Sequence, residues 1–297
     1  MKKTLIIVIC SVLPIIIFIA TTVIIVNKIY SSSLPDGKLL VMNSAIYSEP
    51  FEGLSIIDLK SNKTRLISST GRYSLMDYCK KRNSIFAVSA KNSEIDIPQI
   101  YEINLDSKKT IPVKLKISEG EQRQYEYLKC VPNKNAISYS SNGEIYIYDF
   151  DTEDESVLIN DDGEHSWNKS GTKVLYVSSA DFLIHEYNLV TKKDTNLKID
   201  GYAPQYSSDE KFITFFNSKT ACVRRISDGF EWVYSKKCYV GEMHFCQDSS
   251  RLIMFETTNQ SFCGAPYPQL ICWDYKADKV KKLDLSYSYN TQFLLID

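Results

Sequence analysis

Three histidines, eight cysteines and a short acidic run are the residues here with the most chemistry to offer. His165, His185 and His244 come from separate segments, and His165 and His244 lie just ahead of the aromatic residues Trp167 and Phe245. If these two met at one channel mouth, they would supply part of a metal site. Their offsets from the aromatic differ by one residue, however, and successive residues of a strand turn to opposite faces. The acidic stretch Asp149-Phe150-Asp151-Thr152-Glu153-Asp154 has some features of a calcium loop. It lacks Gly at the sixth place, and Asn160 stands at the twelfth, where a bidentate Glu is required. Gly-x-Ser-x-Gly, His-Glu-x-x-His, a paired Cys-x-x-Cys and a phosphate-cradling Gly-rich loop are all missing from the sequence. No catalytic, cofactor-binding or metal-ligating set is therefore assigned, and no cofactor is expected.

The cysteines invite a different chemistry. Cys10 lies within an apolar N-terminal run, which leaves an odd number, seven, for the rest of the chain. In an oxidising compartment an odd count leaves at least one free thiol or an intermolecular pair. Cys263 and Cys272 flank the Gly-Ala-Pro-Tyr-Pro-Gln loop between two strands, and Cys222 and Cys238 fall within one repeat, so these are the two pairings expected. Cys79, Cys130 and Cys246 sit at or beside a repeated aromatic position and read as small buried hydrophobes.

Those positions belong to an internal repeat. Aligned on the residue two places before a tight polar turn, the copies begin at Ser33, Tyr78, Cys130, Trp167, Tyr206 and Phe245, spaced by about 37 to 52 residues. The first contains Leu34-Pro35-Asp36-Gly37-Lys38-Leu39-Leu40-Val41, a turn placed directly before an apolar run. Later copies read CVPNKNAISY, WNKSGTKVLY, YSSDEKFITF and FCQDSSRLIM, with YCKKRNSIFA as the poorest. Each is followed by a second apolar stretch, and most of these stop at Asp58, Asn104, Asp149, Asn188 or Asp274, residues suited to opening the next turn. The fifth offers Ser227-Asp228-Gly229 instead. Three to four strands per copy is the content of one propeller blade, and a period of this size means units that must stack to bury their faces.

The pattern resembles the TolB-type, WD-like propeller repeat, approximately W-S-P-D-G-K-x-I-A-F followed by I-Y-x-x-D, over residues 33 to 285. Cys130 and Ser33 depart from the aromatic, and only the first copy keeps Pro-Asp-Gly. The expected fold is an all-β, six-bladed β-propeller preceded by one transmembrane helix. Its blades fall roughly at 33–72, 73–121, 122–163, 164–201, 202–239 and 240–285, with 286–297 supplying the closing strand of the first. The resemblance implies protein contacts in the cell envelope. TolB-like blades also precede serine peptidase domains, yet the nucleophile elbow of such a domain is absent from this sequence.

Leu5 to Val26 is an apolar run of about 22 residues, long enough to cross a hydrocarbon core. Residues 1–4 then form a cytoplasmic tail, 5–27 a signal anchor and 28–297 an ectodomain. Lys2 and Lys3 against Lys28 place the N-terminus in the cytoplasm and the propeller outside. A cleaved signal peptide, giving a secreted or periplasmic protein, is the competing reading; the apolar core exceeds the roughly 7–15 residues such peptides use. Ile9 before Cys10 argues against a lipobox. Should the chain pass through a eukaryotic secretory route, Asn62, Asn168 and Asn259 would be glycosylation acceptors.

A formal net charge of −1 provides no basic field for nucleic acid. Two functions remain. One is a non-catalytic, membrane-anchored module binding a protein, peptide or envelope ligand through a propeller face. The other is a propeller hydrolase or lyase with a site assembled over the channel. Carboxylates with shifted pKa values, or His165 and His244 within reach of one metal, would mark catalysis; a funnel of Lys, Tyr and Ser would mark binding.

Overall fold

The computed structural model describes residues 38–43, 53–59, 61, 63–68, 73–89, 98–115, 123–161, 163–218, 220–236, 238–262, 265–283 and 291–296. The expected membrane helix over 5–27 and the first Pro-Asp-Gly turn lie outside these residues. No helix among the described residues is long and apolar enough to cross a membrane.

The strands form six four-stranded antiparallel sheets. Blade 1 contains β1 (Lys38–Asn43), β2 (Gly53–Asp58), β3 (Lys63–Ser68) and the last strand, β24 (Thr291–Ile296). Blade 2 contains β4 (Tyr73–Cys79), β5 (Ser84–Ser89), β6 (Ile100–Asn104) and β7 (Thr110–Pro112). Blade 3 contains β8 (Glu126–Cys130), β9 (Ala136–Ser141), β10 (Glu144–Asp149) and β11 (Asp154–Ile159). Blade 4 contains β12 (His165–Trp167), β13 (Lys173–Val177), β14 (Leu183–Asn188) and β15 (Lys193–Asp200). Blade 5 contains β16 (Tyr202–Tyr206), β17 (Phe212–Asn217), β18 (Thr220–Arg225) and β19 (Glu231–Val233). Blade 6 contains β20 (Cys238–Phe245), β21 (Arg251–Phe262), β22 (Ala265–Asp274) and β23 (Lys279–Lys282).

The innermost strands touch in sequence, β24 to β4, β8, β12, β16 and β20, and β20 touches β24 again. The ring is thereby closed, and the fold is an all-β six-bladed propeller. Closure occurs within blade 1, where β24 runs antiparallel to β1 with Leu40 opposite Leu294 and Lys38 opposite Ile296. A ring closed in this way leaves no unpaired blade to recruit a foreign strand.

The apolar core lies between blades rather than inside them. Leu40, Leu54 and Ile56 of blade 1 pack with Met76, Ile85 and Ile103 of blade 2. Phe86 and Ile100 meet Leu128, Ile137 and Tyr139 at the next seam, and Leu175 and Ile184 meet Ile213 and Phe215 further round. The largest cluster joins blades 5 and 6 through Phe216, Val223 and Tyr234 against Met254, Ile271 and Trp273. One fully buried side chain of this size contributes about 1.5–3 kcal/mol, so each seam outweighs any single surface ion pair.

Turn chemistry sets the ends of the strands. Asn104 Oδ1 accepts from the N–H groups of Asp106 and Ser107, and Asn188 Oδ1 from those of Val190 and Thr191. Asp58, Asp149 and Asp274 do the same for Ser61, Asp151 and Ala277. In the fifth copy Asp228 takes this role, accepting from Phe230 N and binding Arg225 through both carboxylate oxygens. These acids and amides are explained by their turns.

The cysteines require a correction. Cys79 and Cys130, expected only to pack, form a disulfide between the innermost strands of blades 2 and 3, with Cα atoms 5.4 Å apart. The two expected bridges are not formed, because Cys222 and Cys272 are free buried thiols. Cys222 lies in the seam beside Phe215 and Ile184, and burial pushes its thiol up to about 11. The side chain of Cys238 and all of Cys263 fall outside the described residues.

Two outcomes follow from this architecture. Deleting 288–297 removes β24, and the soluble yield of the propeller is expected to collapse; a truncate with native near-ultraviolet circular dichroism would refute closure by this strand. The disulfide spans 51 residues, so replacing Cys79 and Cys130 together by Ser should lower unfolding free energy by up to about 4 kcal/mol, read from denaturant midpoints.

Candidate functional site

Counted from the aligned residue of each repeat, one column of the sequence collects at one place. The residues two positions later are Lys80, Pro132, Lys169, Ser208 and Gln247, and all five line a single cavity of about 590 Å³. Its other walls are the aligned aromatics Trp167, Tyr206 and Phe245, together with Gln205, Ser207 and His244. Five successive blades contribute through the turns that leave their innermost strands, so the cavity is the axial mouth of the ring. In blade 1 the equivalent place is held by the pairing of Lys38 with Ile296.

Hydrogen bonds from turn to turn fix this mouth. Arg82 of blade 2 donates to Asn135 of blade 3 at 2.7 Å while gripping Glu102 through two further bonds. Asn133 Nδ2 donates to the Lys169 carbonyl at 2.8 Å. Asn168 Nδ2 and Ser170 N both donate to Glu210 of blade 5, and Ser208 Oγ donates to the Gln247 carbonyl of blade 6 at 2.6 Å. Gly171 has φ +68°, and a Cβ added there would collide with the Pro132 carbonyl oxygen, so this tight approach of two turns needs glycine. Asn168 is buried and its amide is used in these bonds, which withdraws it as a glycosylation acceptor in the folded chain.

Strand parity divides the histidines. His165 and Trp167 are two apart and share the face toward blade 3. Ser138 Oγ accepts from Trp167 Nε1 at 2.8 Å and is hydrogen-bonded to His165 Nε2 at 2.8 Å. His165 Nδ1 lies 3.4 Å from Ser140 Oγ, which donates to the Gly163 carbonyl. The spacing imitates a nucleophile and its base. Yet Ser138 is fully buried, no carboxylate orients the ring, and every polar atom is occupied, so the group welds two blades. His244 has the opposite parity and lines the mouth. The structure therefore does not bring the two expected mouth residues together.

Carboxylates stand behind the lining: Tyr206 Oη donates to Glu186 at 2.6 Å and Ser207 Oγ to Asp209 at 2.7 Å, while Asp77 of blade 2 lies next to the aligned Tyr78. Its Oδ2 accepts from Cys130 N at 2.6 Å and its Oδ1 from Tyr78 N at 2.9 Å, which ties β4 to β8 beside the disulfide. Burial raises its pKa, opposed by the charge of Lys129, the two backbone bonds and His244. No carboxylate is among the described residues lining the mouth. The arrangement offers Lys80 and Lys169 as cations, Gln205 and Gln247 as amides, and aromatic surface. Of these, the sequence reading had singled out only His244 and the aligned aromatics. The signal it lacked was the column two places after the aromatic.

His185 lies elsewhere on blade 4, with Nδ1 3.1 Å from Asp194 and Nε2 3.2 Å from Asp181. Burial acts to lower its pKa, but the two carboxylates outweigh it and the net shift is upward. For His165 burial comes first and Lys129 second, and together they lower it to about 3, against the Gly163 carbonyl. The signs are opposite. His185 adds stability that is present below the unfolded value of about 6.5 and lost as pH rises through its folded pKa. His165 adds stability present above about 6.5 and lost as pH falls toward 3. Proton NMR should find His185 titrating above 6.5 and His165 uncharged until acid unfolding; a His165 midpoint near 6 would refute its burial.

No family model matches the chain, and no curated protein matches it. Solved structures do. TolB from Acinetobacter baumannii superposes with a TM-score of 0.68 at 14% identity, covering 86% of this chain and 66% of that one. This chain thus spans less than two thirds of the TolB chain. A putative 6-phosphogluconolactonase from Bacteroides fragilis gives 0.53 at 12% identity, covering 86% and 84%. An oligogalacturonate lyase in complex with manganese gives 0.52 at 12%, covering 71% and 69%. At these identities the likeness is one of fold.

Proposed function

We propose that this propeller is a non-catalytic binding module, held outside the cytoplasmic membrane by residues 5–27, that takes a protein, peptide or envelope ligand at its axial mouth. One observation carries the reading. The column that builds the mouth presents lysine, amide and hydroxyl side chains around aromatic rings, with His244 the single histidine and no carboxylate among the described lining residues. General acid–base chemistry needs a positioned pair, and the Ser138–His165 pair is sealed behind Trp167.

The likeness to TolB agrees with this reading, since that type of repeat implies protein contacts in the envelope. The lyase and lactonase likenesses share the same fold, and fold alone does not transfer an activity. Binding at the mouth also suits the mechanics of the site. Turns on a rigid ring hold side chains in place at little further entropic cost.

The test is a photo-crosslinking amino acid placed, one at a time, at Lys169, Gln247 and the exposed Val190 of the full chain in its native cells. Adducts are expected from positions 169 and 247 and not from 190. Equal labelling at 190, or none at the mouth, would refute the mouth as the binding face.

A further inference from the structure

We propose that the β13–β14 turn of blade 4 is a proton-controlled latch: the charged ring of His185 ties Asp181 of the turn to Asp194 of β15, and the neutral ring releases the turn. It stands at the end of the blade opposite the mouth and does not depend on what the mouth binds. The turn itself shows why it needs tying. Phe182 at its tip has φ +60° and is 72% exposed, so a bulky side chain is held in the left-handed region with little packing to offset the strain. Backbone bonds close the turn, from Phe182 N to the Ser178 carbonyl at 2.9 Å and from Ser178 N to that of Leu183 at 3.0 Å. Asp161 accepts from Ser179 N, while Asp181 accepts from Leu183 N through Oδ1 and from Asn196 Nδ2 of β15 through Oδ2, at 2.7 Å. Asp181 is the pivot between turn and sheet.

His185 is the ionic partner of that pivot. Its Nε2 lies 3.2 Å from Asp181 Oδ2 and its Nδ1 3.1 Å from Asp194 Oδ2, and among the described residues no lysine or arginine pairs with either acid. A carboxylate only accepts, so both contacts are hydrogen bonds only while both ring nitrogens carry protons. The neutral ring has one N–H and must turn a lone pair on one of the two acids. They are not equally free to leave. Asp194 is fixed in the ladder opposite Tyr187 and accepts from Tyr176 Oη at 2.9 Å, whereas Asp181 belongs to the turn. The remaining proton therefore stays on Nδ1, and the contact that breaks is that of Nε2 with Asp181. The groups facing the ring are Asp181 from the turn, Asp194 from β15 and Tyr176 of β13, whose ring centroid is 5.4 Å away, with Asp161 of the segment before β12 acting on Tyr176. Burial acts to lower the pKa of His185, but the two acids outweigh it. The latch is thus closed in acid and opens as pH rises through a folded value above 6.5.

Hydrogen–deuterium exchange of the full chain in detergent, read by mass spectrometry and corrected for the intrinsic pH dependence of exchange, tests the latch. Peptides covering 178–183 are expected to lose up to about fivefold in protection between about pH 5.5 and about pH 8.5, the scale of one part-exposed ion pair. The β9–β10 turn at 141–144, which contains no histidine, should not change. Two variants are expected to move the turn in opposite directions. His185→Ala leaves it at the loose, alkaline level at both pH values. Asp194→Asn offers the neutral ring an amide donor at Nδ1, so the proton stays on Nε2 and the turn remains protected at both. A wild-type turn that does not respond to pH, an equal response at 141–144, or a response that survives in either variant with native circular dichroism would overturn the latch.

Discussion

The ladder between β24 and β1 is the constraint on which every other contact depends. It joins segments at opposite ends of the domain, Lys38 with Ile296, and so closes the largest loop the fold contains. Loop closure over that separation costs about 5 kcal/mol of chain entropy, about what the ladder's hydrogen bonds return at roughly 0.5–1.5 kcal/mol each. Net stability therefore has to come from the seams. Each of the blade clusters needs a neighbour on both sides, so an open ring would expose apolar faces at the gap. Closure and core are therefore one cooperative event, and neither the mouth nor its rim of turn-to-turn hydrogen bonds can form ahead of it.

Within that ring one register distributes three tasks. Among the described residues the aligned position points into a seam, as Trp167 does toward Ser138 and Tyr206 toward Glu186. The residue before it has the opposite parity and includes Asp77, Gln205 and His244. The residue two places after it has already entered the turn and stands at the mouth. The mouth draws on all three columns of this short motif: the aligned aromatics Trp167, Tyr206 and Phe245, the preceding Gln205 and His244, and the turn residues such as Lys169. Only the last of these columns has no part in a seam. This explains how Lys80 and Lys169 can occupy a place where the TolB-type pattern carries proline without disturbing a seam.

What was legible in the sequence was whatever depends on neighbours in the chain. The turn residues Asp58, Asn104, Asp149, Asn188 and Asp274 bond within three residues, so their roles followed from local chemistry, and with Asp228 in the fifth copy they mark the six blades. The disulfide was not legible, because Cys79 and Cys130 are 51 residues apart and meet only once blades 2 and 3 pack. Nearness in sequence pointed instead to pairing Cys222 with Cys238 and Cys263 with Cys272, while the burial of Cys222 and Cys272 as free thiols depends on the same blade stacking. Parity correctly separated His165 from His244 but carried no information on which faced inward. The mouth lysines were hidden for another reason: a lysine in a turn is usually a solvated charge, and only the ring assembles such turns around an axis.

The break in the ring has a directional consequence. Where blades 2 to 6 have a turn bordering the mouth, blade 1 has the incoming chain at Lys38 and the outgoing chain at Ile296 side by side. The polypeptide therefore enters the domain on the same face that presents the cavity. Both ends of the domain's chain thus meet in one sector of the mouth's rim, so a change at either end is felt there first, while the turns of blades 2 to 6 stand on unbroken chain.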